Sequence, residues 1–393
     1  MFQALFNSLS GLFSFSRSLD TVSNNVANMN TPGFRGGDSF FSNVANGNGS
    51  QIVDEGMRTK PGDTRNTDTF TNLAIDGTGF FVLRDTSGNY YYTRAGEFRF
   101  VEGILTDTAT GYEVMAFDPT THELGTVRQD QYQLLLPEKT TKVVLQGDLS
   151  TNASDPIIDN VKVYDIAGQV HNLTLKLHCT DTPVPGQGAA VTYTVTVWEG
   201  ENKLAEGTPP YTIGFSATGS VDVTKNKFSA PLTFLGTAMS VEFNFGEGIN
   251  TGVQRLGTST VVTIKSADGH SLLTAKEENM SFDADGILQV KYSDTEKRSG
   301  PQIALARFRS EGELKMVGGR LIEGSGGDAP ELGRPNGNGF GRIEGGRLEG
   351  SNVDLTLEFA DMIIIQRGYQ ASSRVMTVSN EMIEQLYNST RGG

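Results

Sequence analysis

A single cysteine, Cys179, and a single tryptophan, Trp198, stand in a chain of 393 residues. One cysteine excludes an intrachain disulfide framework, and Cys179 is expected to be a small buried hydrophobe rather than a reactive thiol. Positive charge is also short. Against 46 Asp and Glu there are 32 Lys and Arg, a net charge of −14. No basic patch offsets this, which argues against nucleic acid or an anionic membrane surface as a partner. No apolar run approaches the roughly 20 residues that a membrane helix needs, so no membrane insertion is expected. Met362-Ile363-Ile364-Ile365 is far too short for that and suits a core or an interface. The N-terminus lacks both the cationic region and the continuous apolar stretch of a secretory signal. If the protein leaves the cytoplasm, another route must carry it.

Recognisable chemistry is missing as well. His122, His171, His178 and His270 share no ligand spacing, and His178 and Cys179 are neighbours that face opposite ways on a strand. Asp283-Ala284-Asp285-Gly286 resembles a fragment of a calcium loop without its later bidentate Glu, so a β-turn is the better reading. Gly337-Asn338-Gly339-Phe340-Gly341 lacks the strand before and helix after that a phosphate-binding loop requires. No Gly-x-Ser-x-Gly elbow occurs. No catalytic, cofactor-binding or metal-binding residues are assigned, no cofactor is expected, and the chain does not read as an enzyme.

What is present is organised from the two ends. Leu5, Leu12, Leu19 and Val26 recur every seven residues, reinforced by Phe2 and Leu9. Near the other end Leu355, Met362, Tyr369, Met376 and Ile383 keep the same interval, flanked by Phe359, Ile365, Val378 and Leu386. Such spacing holds one face of a helix toward a partner helix, so both ends are expected to form coiled-coil-like helices that pair. The first stops at Asn30-Thr31-Pro32-Gly33. The second opens at Ser351-Asn352-Val353-Asp354, a capping-box spacing with Asp in place of Glu. Gly368, inside the second helix, costs about 1 kcal/mol against Ala and predicts a packing contact or a flexible point. Residues 1–30 carry only Arg17 and Asp20, with Ser and Asn at most other polar positions. A helix with so few charges suits surroundings crowded by other copies of itself.

Between the ends the period changes to two. Residues 33–72 read as a long polar connection. Short strand-like runs then begin at Leu73–Leu83 and Tyr90–Phe98, with a turn at Asp85–Asn89. Val161–Tyr164, Leu173–Leu177 and Thr192–Trp198 alternate apolar and polar residues as half-buried antiparallel strands do. The stretch 182–188 and the Pro209-Pro210 pair break them into hairpins. The expected fold is mixed and mainly β, with discontinuous, nested domains. These are a terminal helical domain (1–32 and 351–393), an inner β-rich domain with long loops (33–145 and 278–350), and an outer β-sandwich or barrel (146–277).

Several stretches carry a family likeness. Ser10-Gly11-Leu12, Leu19-Asp20, Ser23-Asn24-Asn25-Val26-Ala27-Asn28 and Asn30-Thr31-Pro32-Gly33-Phe34 resemble the N-terminal signature of the bacterial flagellar rod and hook proteins. Gly345-Gly346-Arg347-Leu348-Glu349-Gly350-Ser351-Asn352-Val353-Asp354-Leu355 and Gln366-Arg367-Gly368-Tyr369-Gln370-Ala371 resemble their C-terminal signature. Leu73–Phe81, Tyr92–Phe98 and Ile303–Phe308 are similar to the shared β-domain of that family. The additional β unit at 146–277 resembles the outer domain of hook members, whereas Pro32 resembles the rod version of its motif. The resemblance implies a structural subunit that polymerises with itself into a helical tube joining rod to filament and transmitting torque as a flexible joint. It further implies export through the flagellar type III apparatus, a place in the hook and basal body outside the cell, and contacts with rod, hook-cap and hook–filament junction proteins. A rod protein with an outer insertion is the alternative. A secreted carbohydrate-binding or enzymatic β-domain protein is the reading from another class. The pairing and subunit-interface residues are expected to be the nine heptad positions named above. The glycine-rich connections at 33–50 and 318–346 are expected to act as hinges.

Overall fold

The computed structural model describes residues 2–43, 49–181, 189–247, 252–310, 314, 316–323 and 329–391. The stretch 182–188 and the parts 44–48 and 324–328 of the glycine-rich connections lie outside the described residues. The chain divides into two compact units, Met1–Gln133 with Ala275–Gly393, and Leu134–Thr274. The architecture is mainly β, with helices at the two ends of the chain.

In the first unit helix α1 spans Phe2–Ala27 and helix α3 spans Leu355–Arg391, and the elements between them include a short helix, α2 (Asp130–Gln133), and a 3-10 turn at Glu277–Asn279. No helix among the described residues is long and apolar enough to cross a membrane. The strand Phe80–Arg84 pairs antiparallel with Tyr90–Thr93, Glu113–Phe117 and Leu305–Arg307. Phe80, Val82, Tyr92, Met115 and Ala306 bury their side chains in one core there.

Residues 33–72, expected as a bare connection, contain a hairpin, β1 (Gly37–Asn43) paired with β2 (Ser50–Met57). Its sequence lacks clean alternation because packing on α1 supports it. Ser14 Oγ donates to the Ser50 carbonyl at 2.9 Å, and the Thr21 and Ser39 hydroxyls lie 2.9 Å apart. Two further pairs of short strands bring the ends of the chain together. Leu73–Asp76 pairs with Arg342–Gly345, and Thr64–Asn66 pairs with Arg347–Glu349. Asp283 in this unit accepts hydrogen bonds from the Asp285 and Ile287 backbone N–H groups at 3.0 and 2.9 Å, the self-satisfied turn that its sequence predicts.

The second unit is a sandwich of two five-stranded sheets. In one sheet Val170–Cys179 and Val191–Glu199 lie side by side and antiparallel. Val191, Tyr193, Val195 and Val197 alternate inward, as the sequence pattern predicts. In the other sheet Lys142–Ser150 pairs parallel with Thr237–Asn244 and antiparallel with Val261–Ala267, so that sheet is mixed. Both sheets contribute to one core that includes Val143, Leu145, Leu175, Tyr193, Val241 and Phe243. Cys179 is buried in the same core, while its neighbour His178 is exposed.

Candidate assembly surface

Helix α1 continues from Phe2 until its C-terminal carbonyls are taken up locally. The Asn28 N–H and side-chain amide both reach back to the Asn24 carbonyl, and Pro32 follows. Helix α3 is capped by Asp354, whose Oδ1 accepts from the Thr356 N–H at 2.8 Å. The capping box expected from Ser351 to Asp354 is therefore displaced. Ser351 Oγ accepts from Val353 N–H outside the helix, and Asp354 itself is the N-cap.

The two helices lie side by side and antiparallel. A Cβ built on Gly11 would meet the Ser372 side chain, one on Gly368 would meet the Phe15 ring, and Asn25 Nδ2 donates to Glu358 Oε2 at 3.1 Å. On α1 the buried line runs through Ser8, Gly11, Ser14, Ser18, Val22 and Asn25, mostly small and polar residues at three- and four-residue spacing. Leu5, Leu12, Leu19 and Val26 are half-buried on its flank. On α3 the line runs through Glu358, Ile365 and Ser379, which are buried, with Leu355, Met362, Met376 and Ile383 half-buried. Tyr369 is 46% exposed, because the seam passes through Gly368, where Phe15 takes up the space. A count of apolar heptads could not find a seam built this way. The same helical spacing read through Ser, Gly and Asn was the signal that could have.

Below the helices a polar junction ties the chain ends to the β structure. Glu358 is fully buried and receives Arg58 Nη1 at 2.6 Å, while Arg58 Nε donates to Asp38 at 2.9 Å. Burial alone would lower the Arg58 pKa, but its bonds to Asp38 and Glu358 outweigh that and hold it above its ordinary value. Asn25 pins β1 by exchanging two 2.9 Å hydrogen bonds with the Gly37 backbone. Next to it Glu349, 1% exposed, lies 3.0 Å from Arg35 Nη2 and 3.6 Å from Arg94 Nη1, with both guanidinium groups buried. Gly62 N–H donates to Glu349 Oε1 at 3.1 Å, and Gly33 N–H to its carbonyl at 2.9 Å. Gly33 has φ +68°, and a Cβ there would stand 2.2 Å from the Ala95 nitrogen. Asn352 closes the junction, accepting from Gly36 N–H and donating to the Lys60 carbonyl, each at 2.7 Å.

The two terminal signatures thus pack against each other, and Gly33 makes a close backbone contact there. Gly341 does likewise, its Cβ position lying 2.6 Å from the Asp76 carbonyl oxygen. Sequence reasoning assigned no role to Arg35, Arg58, Arg94, Glu349 or Glu358. A lone acid in a glycine-rich motif gave no indication that two arginines distant in the chain would converge on it.

Away from the seam, large apolar side chains stand exposed among polar ones on both helices. Phe6 and Phe13 project from α1. Leu357, Phe359, Ile363, Ile364, Val375, Val378, Met382 and Leu386 project from α3. Among the described residues no cluster of three or more His, Cys, Asp or Glu side chains is placed to hold a metal ion.

Three family models match this chain. Residues 5–35 match "Flagella basal body rod protein", residues 74–159 match "Flagellar hook protein FlgE/F/G D1 domain", and residues 344–389 match "Flagellar basal body rod FlgEFG protein C-terminal". The flagellar hook protein FlgE of Rhizobium meliloti (strain 1021) is 30% identical over 411 residues, covering 98% of both chains. The chain belongs to the flagellar hook protein family. FlgE of Salmonella typhimurium (strain LT2) is similar at 25% identity over 421 residues, covering 97% of this chain and 98% of the relative. A crystal structure of Helicobacter pylori flagellar hook protein FlgE2 aligns with 71% of the chain at 14% identity and a TM-score of 0.49. The hook family is a family of polymeric structural subunits of the flagellar hook and basal body. Its N- and C-terminal models fall on α1 with the elbow after it and on the Glu349 junction with α3, so the family match and the packed signatures coincide.

Proposed function

We propose that this chain is a hook subunit that assembles head-to-tail through α1 and α3 into an open helical tube, linking rod to filament and passing torque as a flexible joint. An interface that repeats without closing generates such a polymer. The observation that carries the reading is the row of exposed large apolar side chains on the terminal helices. Burying the exposed half of each is worth on the order of 1 kcal/mol, so the sum over several neighbours is large, while an isolated copy leaves it unused.

Within this reading the heptad positions divide by role. Leu5, Leu12, Leu19, Val26, Leu355, Met362, Met376 and Ile383 serve mainly pairing within the chain, and Tyr369 faces neighbouring copies. The helices act as a terminal domain (1–32 and 351–393), and the boundary expected between the inner domain (33–145 and 278–350) and the outer sandwich (146–277) moves to Leu134 and Thr274, because the strand Lys142–Ser150 belongs whole to the sandwich. Export through the type III apparatus, a final position outside the cell, and contacts with rod, hook-cap and junction proteins complete the assignment. The subunit catalyses nothing.

Electron microscopy after salting out tests it directly. The full chain is expected to give tubes, and a version lacking residues 1–30 and 352–393 is expected to stay monomeric with its sandwich folded. A full chain that remains monomeric under all salting-out conditions, with both helices formed, would remove the basis for the proposal.

A further inference from the structure

We infer that Phe6 and Phe13 of one copy seat in two adjoining grooves on α3 of a second copy, a contact that rests on the assembly reading above and gives it residues. Both phenyl rings are about two-thirds exposed, at 64% and 67%. They stand seven residues apart on the face of α1 turned away from the buried line, and Asp20 continues their row at the same interval. Between α3 and the start of its own α1 a groove of about 350 Å³ is lined by Ala4, Arg374, Val375, Val378, Ser379 and Met382. A second, of about 330 Å³, is lined by Met382, Gln385, Leu386 and Ser389, so the two share Met382.

The spacings agree. Seven residues of α1 separate the rings by about 10.5 Å, and the groove centres, near residues 378 and 386, lie about 12 Å apart along α3. Direction is fixed by symmetry. Copies in a tube share one polarity, so α1 meets a neighbour's α3 antiparallel, as it meets its own. Phe6 then falls at Leu386 and Phe13 at Val378. This order brings Asp20 level with about residue 371, within a turn of Arg374, so opposite charges meet beyond the second ring.

The contact also continues an interface already present. Phe15 lies against Gly368 and Gly11 against Ser372, which places Phe2 level with about residue 381. The last turns of α3 therefore run past Phe2, and a second copy's α1 lies along them and continues beside the first copy's α1 as far as about residue 371. The apolar area involved is modest: two rings of about 150–250 Å² each, two-thirds exposed, and a similar area from the grooves, roughly 500 Å² in all. A stable pair needs about 1,200 Å² or more. The contact therefore holds only where a tube supplies several neighbours at once, and isolated pairs are not expected.

Cysteine pairing in full-length chains provides the test. Phe13→Cys and Val378→Cys are made separately, mixed, salted out into tubes and oxidised. Cys179, common to both and buried, sets the blank. Cross-linked heterodimers are expected from the mixture within tubes, and none from either variant alone or from unassembled chains. Phe6→Ala/Phe13→Ala is expected to raise the concentration needed for tubes at least tenfold with an unchanged helical CD signal. Asp20→Arg is expected to raise it less, with Arg374→Asp restoring it. If wild-type tubes form but the mixture gives no cross-link and the double alanine variant assembles at the wild-type concentration, the groove assignment is overturned and the assembly reading survives. If the wild type forms no tubes, both fall.

Discussion

Glu349→Gln is expected to cost the first unit about 3–5 kcal/mol, the range for removing one partner of a buried ion pair. The side chain is 1% exposed, and its carboxylate faces both Arg35 and Arg94, themselves buried. Gln preserves the size and the acceptor for the Gly62 N–H but removes the negative charge that two guanidinium groups share in low dielectric. Each has another bond, Arg35 Nη1 to the Thr59 carbonyl and Arg94 to the carbonyls of Ile75 and Gly77. Neutral acceptors do not replace a charge at that depth. The chain supplies its own control, because the single tryptophan, Trp198, lies in the second unit. Denaturant unfolding followed by tryptophan fluorescence should keep its midpoint, while the helical CD transition moves to lower denaturant and tubes fail to form. Coincident, unshifted transitions would mean that the junction contributes little and that the two signatures are held by something else.

The paired termini and the alternating outer strands were legible because each follows a single period. Leu5 to Val26 and Leu355 to Ile383 marked two helices, and Val191 to Val197 marked a strand with its inward face. Period alone could not show which helix positions touch. The buried line of α1 includes Ser8, Gly11, Ser18 and Asn25, residues that contribute closeness and hydrogen bonds rather than apolar area. Tyr369 shares the heptad of Met362 and Met376 yet stands outside the seam, because its neighbour Gly368 permits a shorter approach. The hairpin β1–β2 was hidden for a related reason: its support comes from α1 and from Arg58, not from its own alternation. The Glu349 junction was least visible, since its three charged residues come from positions 35, 94 and 349 and meet only once the chain ends are joined.

Gly368 is where the choice between a packing contact and a flexible point can be decided. In an exposed helix interior, Gly→Ala gains about 1 kcal/mol. At position 368 the new Cβ would stand 2.5, 2.7 and 2.9 Å from three atoms of the Phe15 ring. The ring also has Phe41 as a neighbour, with the ring centroids 6.2 Å apart, so any retreat must be shared with it. Overpacking typically costs about 1–3 kcal/mol, so alanine should come out near neutral or mildly destabilising as the two terms offset. Gly368→Leu separates them. Leucine favours the helix almost as strongly as alanine, yet its side chain needs the volume that Phe15 already fills. The helix pair should then lose protection against amide hydrogen exchange along α1, while α3 stays helical, and tubes should be absent or form only at much higher concentration. Gly368→Leu/Phe15→Ala returns the lost volume to the seam and should recover assembly in part. Were Gly368→Leu to assemble as well as the wild type, with altered curvature of the tubes, the glycine would be a flexible point and the close approach of α1 and α3 would carry little of the stability assigned to it here.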